Sequence, residues 1–172
     1  MDEVDEVRAA TAGLGAAGGR LRVVGAVLTA TGDEPVGLVD DGFVASFVRP
    51  ASGFVLLARL GAGRRNSGLW EFPGGKVEAG ETPESALARE VMEELGLEVR
   101  VLDFVAAGET ERIVLEGYRC ELVSGRIGAV RNDHDAFVWV DPMTLWRWAM
   151  PPADKPIAEA LRLDALRLRE GP

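Results

Sequence analysis

The hydrophobic pattern of the chain alternates between strand-like and helix-like stretches. LRVVGAVLTA (21–30) is almost continuously apolar, which predicts a strand buried on both faces. TGDEPVGLVDDG (31–42) carries loop chemistry. FVASFVRP (43–50) and FVLLARL (54–60) read as two further strands, with ASG between them as a hairpin turn. GAGRRNSG (61–68) is a polar loop, and LWEFPGGK (69–76) is a short extended segment ending in a glycine-rich turn. A helix then follows. Thr82 is its N-cap, Pro83 its first residue, Glu84 an acid at its positive end, and Gly96 its stop. Leu87, Val91 and Leu95 recur every four residues and form its buried stripe.

EVRVLDFVAAGE (98–109) is strand-like. RIVLEGYRCELV (112–123) alternates through Ile113, Leu115, Tyr118, Cys120 and Leu122 with a slip near Gly117, read as a bulge. AFVWV (136–140) is a last short strand, and DPMTLWRWA (141–149) opens as a short helix capped by Asp141. DKPIAEALRLDALRLRE (154–170) is an amphipathic terminal helix with Ile157, Leu161, Ala165 and Leu168 on its apolar face. There is no internal repeat. Strands interleaved with few helices predict an α/β sandwich around a mixed β-sheet.

Composition narrows the choice. A chain of 172 residues with 47% hydrophobic and 27% charged residues is an ordinary globular length and balance. Residues 1–19, rich in Ala and Gly, read as a flexible N-terminal arm, and 20–172 as one domain. A net charge of −9 argues against a nucleic-acid duplex or an anionic membrane as partner, but not against a phosphorylated small molecule bridged by a metal ion. Cys120 is the only cysteine, so no internal disulfide forms, and its alternating context makes it a buried strand residue. The single His134 has no second histidine with which to build a zinc site and reads as a loop residue. No apolar run is long enough to span a membrane, and the acidic opening lacks the basic start of a signal peptide. The expected location is cytoplasmic, the expected state a monomer or homodimer.

One stretch violates local electrostatics. In REVMEELG (89–96), Glu90, Glu93 and Glu94 share a helical face, each like-charge pair costing roughly 0.2–0.5 kcal/mol. Glu93 and Glu94 also crowd the negative end of the helix. A solvated, salt-bridged face is the plain reading, but Arg89 alone cannot neutralise three acids. Clustered carboxylates are a hard-oxygen site suited to Mg²⁺ or Mn²⁺. PGGK is not a phosphate-binding P-loop, because Val77 follows Lys76 where Ser or Thr is required. Its glycines are expected to adopt positive φ and allow close backbone approach to a ligand.

GKVEAGETPESALAREVMEELGL (75–97) resembles the Nudix box, with Gly75, Glu81, Arg89, Glu90, Val91, Glu93, Glu94, Gly96 and Leu97 at every fixed position. The resemblance implies the Nudix α/β/α sandwich and metal-dependent hydrolysis of a nucleotide. It implies Glu90 and Glu94 as leading metal ligands and Glu93 as a further ligand or holder of a metal-bound water. It also implies the Gly74 carbonyl in the site, Arg89 orienting the acids, and Glu81 supporting the loop or an additional metal. Glu90 doubles as a candidate base. LWEFPGGKVEAGET resembles the MutT-like branch, which hydrolyses nucleoside triphosphates to monophosphate and pyrophosphate, in some members clearing oxidised nucleotides.

Residues for the nucleotide follow from the same resemblance. PPADKPIAEAL (151–161) is similar to the branch's base-reading segment, with Asp154 at its polar position. An ionised Asp only accepts, which suits an exocyclic amine such as cytosine N4, or the N–H groups of a guanine-type edge. CTP-type and 8-oxo-dGTP-type substrates are therefore both in view, and a helix N-cap role for Asp154 stands beside the base-reading one. Phe72 corresponds to a base-pocket aromatic, or is plain core. Lys76 is placed to touch a phosphate, or is an ordinary surface lysine. Asp133, with Asp135 as its rival, falls where relatives carry a loop acid that binds metal or acts as base.

Two departures stand out. Relatives carry two arginines after the second main strand, whereas this chain has Arg59 and then Leu60, with Arg64 or Arg65 as substitutes. The segment before FVLLARL is also longer than the pattern, an added hairpin that narrows the site or mediates dimer contacts. The alternatives are an ADP-ribose or dinucleotide pyrophosphatase and a non-catalytic nucleotide-binding module. The first usually carries a proline after the box, and there is none between Pro83 and Pro142; the second often loses box acids, and all are present here.

Overall fold

A computed structural model describes residues 19–31, 52–125 and 134–170. The expected arm over residues 1–18, most of the loop after the first strand, the strand expected at 43–50, and Asp133 lie outside the described residues. The elements run β1 (Leu21–Leu28), β2 (Val55–Leu60), β3 (Trp70–Glu71), β4 (Gly74–Lys76), α1 (Pro83–Leu95), β5 (Leu97–Glu109), β6 (Ile113–Gly125), β7 (His134–Val140), a 3₁₀ helix (Pro142–Arg147) and α2 (Lys155–Glu170).

The strands form a four-stranded mixed sheet of order β4-β1-β6-β5 and a three-stranded sheet of order β3-β2-β7. β1 and β6 run parallel, and the remaining pairs are antiparallel. A bridge between Thr29 and Val55 joins the two sheets. Alternation along β1 decides the layers. Val24, Ala26 and Leu28 pack with Ala86, Leu87, Val91 and Leu95 of α1, while Val27 packs with Ile157 and Leu161 of α2. The result is an α/β/α sandwich, and β1 is apolar on both faces because both are covered.

α1 forms where its local signals place it. The Thr82 hydroxyl accepts the Ser85 amide and the Ser85 hydroxyl accepts the Thr82 amide, a reciprocal capping box. Gly96 closes the helix in the left-handed region at φ 68°, and its N–H donates to the Met92 carbonyl. A buried polar cluster links β1 and β6. The Glu116 carboxylate takes the Arg22 guanidinium at 2.6 and 3.0 Å and the Tyr118 hydroxyl at 2.7 Å. Burial and that acid both push the Tyr118 phenol up. Cys120 is buried, and burial pushes its thiol up to about 12, which suits a packing role.

The slip expected near Gly117 is present as a register shift, with the extra residues on β5 between Val101, Phe104 and Ala106, opposite Tyr118 and Gly117. Gly117 itself is required by helix packing: a Cβ there would lie 2.8 Å from Ile157. Leu168, assigned to the apolar face of α2, is 85% exposed, because that periodicity continues past the sheet it packs on.

Candidate active site

The β3–β4 segment and α1 together build the acidic end of the molecule. Gly74 and Gly75 pair with Gly25 and Val24 of β1. A Cβ on Gly74 would sit 2.0 Å from the Val24 carbonyl oxygen, and a Cβ on Gly75 would sit 2.2 Å from the Glu90 carboxylate carbon. These glycines are therefore needed for close approach of the chain's own backbone and of Glu90. Neither is among the positive-φ residues, which corrects the expectation of positive φ.

Arg89 organises one side. Its guanidinium donates to both Glu81 oxygens at 2.9 and 3.0 Å, to Glu90 Oε1 at 3.0 Å and to the Lys76 carbonyl at 3.1 Å, and it lies 3.8 Å from Glu93. The pairing with Glu81 raises the Arg89 pKa, and the Arg89 bonds lower that of Glu81. Glu81 also accepts the Glu78 amide at 3.1 Å, so the loop before α1 is tied to the helix. Lys76 enters this network through its carbonyl; its side chain is exposed.

Glu94 sits differently. Its side chain is only 11% exposed, and its buried Oε2 has no hydrogen-bond partner. Burial pushes its carboxyl up to about 7, with the neighbouring acids Glu90 and Glu71 adding to the rise and His134 and the Gly74 amide opposing it. His134 is no loop residue. It opens β7, its side chain is 3% exposed, Nε2 lies 2.9 Å from Glu71 Oε1, and Nδ1 lies 3.9 Å from Glu94 Oε2. Sequence reading missed both His134 and Glu71. The available signal was their nearness to strand residues Ala136 and Trp70, which pair with Arg59 of β2 from its two edges.

The donor set suits a hard divalent cation. Glu94 Oε2 is a buried orphan acceptor, the kind of group that costs about 1–3 kcal/mol unless something completes it. Among the described residues no three acidic, His or Cys side chains gather closely enough to enclose an ion.

The opposite face carries the residues expected to meet the nucleoside. Asp154 is 3% exposed, and its Oδ1 accepts the Phe72 amide at 3.0 Å. Gly108 on β5 leaves room for the Ala153 carbonyl, which seats the start of α2 against β5. Burial pushes the Asp154 carboxyl up to about 8, which favours the protonated form, able to donate as well as accept, over the ionised acceptor expected from sequence. Phe72 is buried in the core cluster on the α2 side. Arg59 is engaged elsewhere: its Nε lies 2.6 Å from Asp135 Oδ1 and its guanidinium lies over Trp70. Trp70 in turn meets Trp148 edge-on. Beside Asp154, a pocket of about 430 Å³ is lined by Arg65, Asn66, Arg112, Ile113, Pro151 and Ala153 among others. The structure thus gathers Gly74, Glu81, Arg89, Glu90, Glu93 and Glu94 at one end, joins Phe72 to Asp154, and leaves Arg59 with Asp135. No described helix is long and apolar enough to cross a membrane.

Comparison with known proteins gives concordant results. The model of the NUDIX domain matches residues 41–161. The CTP pyrophosphohydrolase of Escherichia coli (strain K12) is 38% identical over 121 residues, covering 68% of this chain and 88% of that protein. An 8-oxo-dGTP diphosphatase of Proteus vulgaris is 60% identical over 42 residues, which is 23% of this chain and 38% of the relative. Among solved structures, the E. coli ORF135 protein superposes with a TM-score of 0.61 at 31% identity, covering 86% of this chain and 93% of that one.

Proposed function

This chain belongs to the NUDIX family and is a hydrolase of that family, and from this premise we propose that it is a Mg²⁺-dependent nucleoside triphosphate pyrophosphohydrolase. Water and a nucleoside triphosphate yield the monophosphate and pyrophosphate. The observation that carries the reading is Glu94 Oε2, a buried carboxylate oxygen without a partner, on the same helix turn as Glu90 and beside Gly74. Glu90 and Glu94 would hold the cation, with the Gly74 carbonyl and Glu93 completing its surroundings. Mn²⁺ would serve in place of Mg²⁺. Bound there, the cation supplies charge neutralisation for the polyphosphate and acidifies a water.

The chain's own residues do the positioning. Arg89 fixes Glu90 through a charge-assisted bond, and Glu81 fixes Arg89 bidentately. Lys76 stands at the exposed end of β4, where its ammonium can meet phosphate oxygens. Glu90 is a candidate for taking the proton from water, and Asp133 is the other. Phe72 and Asp154 read the base. A neutral Asp154 matches cytosine, donating to N3 and accepting from N4–H, in keeping with the CTP pyrophosphohydrolase among its relatives. The same pair meets the O6 and N1–H edge of 8-oxoguanine, so that nucleotide is its competitor. Arg65, on the rim of the adjoining pocket, takes the place of the arginine that Leu60 replaces.

The test is a hydrolysis panel of CTP, dCTP, 8-oxo-dGTP and ADP-ribose with Mg²⁺, with and without chelator, in which products are separated. Nucleoside monophosphate plus pyrophosphate from a triphosphate, abolished by chelator, is the expected result. Turnover of ADP-ribose alone would replace the substrate class, and nucleotide binding with no turnover would make the chain a binding module.

A further inference from the structure

His134 belongs to no motif of the box, yet its ring nitrogen Nδ1 lies 3.9 Å from the orphan oxygen of Glu94. Its imidazole is almost wholly enclosed, with Phe137 beside the ring at 5.9 Å between centroids. One ring nitrogen is fixed: Nε2 lies at hydrogen-bond distance, 2.9 Å, from Glu71 Oε1 on β3. The other, Nδ1, faces Glu94 Oε2 on α1 at 3.9 Å, inside ion-pair range but beyond hydrogen-bond length. Three elements that are remote in sequence thus converge as Glu71, His134 and Glu94. The strand pairing explains why. β7 pairs with β2 next to the bulge at Arg59 and Leu60, and β3 pairs with β2 on its other edge, so both side chains emerge beneath the C-terminal turn of α1.

We infer that His134 is a positioning residue for Glu94: Glu71 anchors the ring, and the ring backs the carboxylate against which the catalytic cation is held. The inference rests on the functional reading above. Physically it is the outer support that ligating carboxylates need, since a carboxylate free to rotate loses the geometry that binds and aligns a metal. Glu94 has few other restraints among the described contacts: the Gly74 amide is the backbone group that faces it, and Arg89 spends its donors on Glu81, Glu90 and the Lys76 carbonyl.

Two conservative variants separate this role from simple packing. An Asn places an amide near the position of Nδ1, and a Gln places one near Nε2. Wild type, His134→Ala, His134→Asn and His134→Gln are titrated with Mn²⁺ alone, the free ion being read by electron paramagnetic resonance, and each is checked for folding by circular dichroism. The kcat and KM for CTP are then measured. His134→Ala is expected to weaken Mn²⁺ binding 10- to 100-fold and to lower kcat with KM for CTP within about threefold. His134→Asn is expected to recover more of the Mn²⁺ affinity than His134→Gln. A folded His134→Ala that binds Mn²⁺ within twofold of wild type, or recovery that is equal for Asn and Gln, overturns the inference and leaves the functional reading standing. A wild type that binds no Mn²⁺ and turns over no nucleotide overturns both.

Discussion

Gly75→Ala is the sharpest perturbation of the site. The added methyl would lie 2.2 Å from the Glu90 carboxylate carbon and 2.4 and 2.5 Å from its oxygens. Ordinary contact begins near 3.4 Å, so the carboxylate must retreat by about 1 Å. That displacement strains the 3.0 Å bond from Arg89 and shifts Glu90 from its present position in the site. The backbone has no reason to fail, because Gly75 is not a positive-φ residue. A 1 Å misplacement of a reacting or ligating group costs on the order of 100-fold in rate, or about 2.7 kcal/mol of transition-state stabilisation. Steady-state kinetics at saturating Mg²⁺ should show kcat down by about that factor, with the melting temperature nearly unchanged. Gly74→Ala is the contrast: its methyl would strike the Val24 carbonyl of the adjacent strand, which cannot yield, so it should cost folding itself. A folded Gly75→Ala protein with kcat within twofold of wild type would refute the reasoning.

Three further outcomes follow from the geometry. Asp154 holds its proton in the folded state up to about pH 8 but loses it near 3.8 when unfolded, so its contribution to stability is full below pH 3.8 and is lost as pH rises through 8. Thermal melts should therefore fall more steeply between pH 5 and 8 for wild type than for Asp154→Asn, and equal slopes would count against a buried neutral acid. The same variant should keep activity on CTP above pH 8 relative to wild type, measured as kcat/KM across that range, since Asn donates and accepts at every pH. Arg22→Ala leaves the Glu116 carboxylate buried without its cation and should destabilise by about 3 kcal/mol in a denaturant titration, whereas a loss under 1 kcal/mol would mean that the carboxylate is satisfied otherwise.

What the sequence disclosed was local. Thr82, Pro83, Gly96 and the stripe of Leu87, Val91 and Leu95 specify α1 within one stretch of chain, and that stretch also carries the acids. Cys120 was legible as a packed strand residue for the same reason. What stayed hidden was non-local. Asp154 meets Phe72 across 82 positions, and its neutral form arises from burial that no pattern of neighbours encodes. His134 reads as a loop residue because it precedes a short apolar run, and it gains its partners only when β2 draws β3 and β7 together. The ion pair of Arg59 with Asp135 at 2.6 Å spans 76 positions and is likewise invisible in the sequence. The pattern suggests positive φ at Gly74 and Gly75, but the need they meet is space beside Val24 and Glu90, which only packing defines.

The account depends most on a cation held by Glu94. Calorimetric titration of Mn²⁺ into wild type and Glu94→Gln, each with a non-hydrolysable CTP analogue, addresses it directly. Removing the charge while keeping the shape should weaken the cation by at least about 100-fold and lower kcat on CTP by at least about 1,000-fold. Equal Mn²⁺ affinity in the two proteins, with kcat within a few-fold, would contradict it.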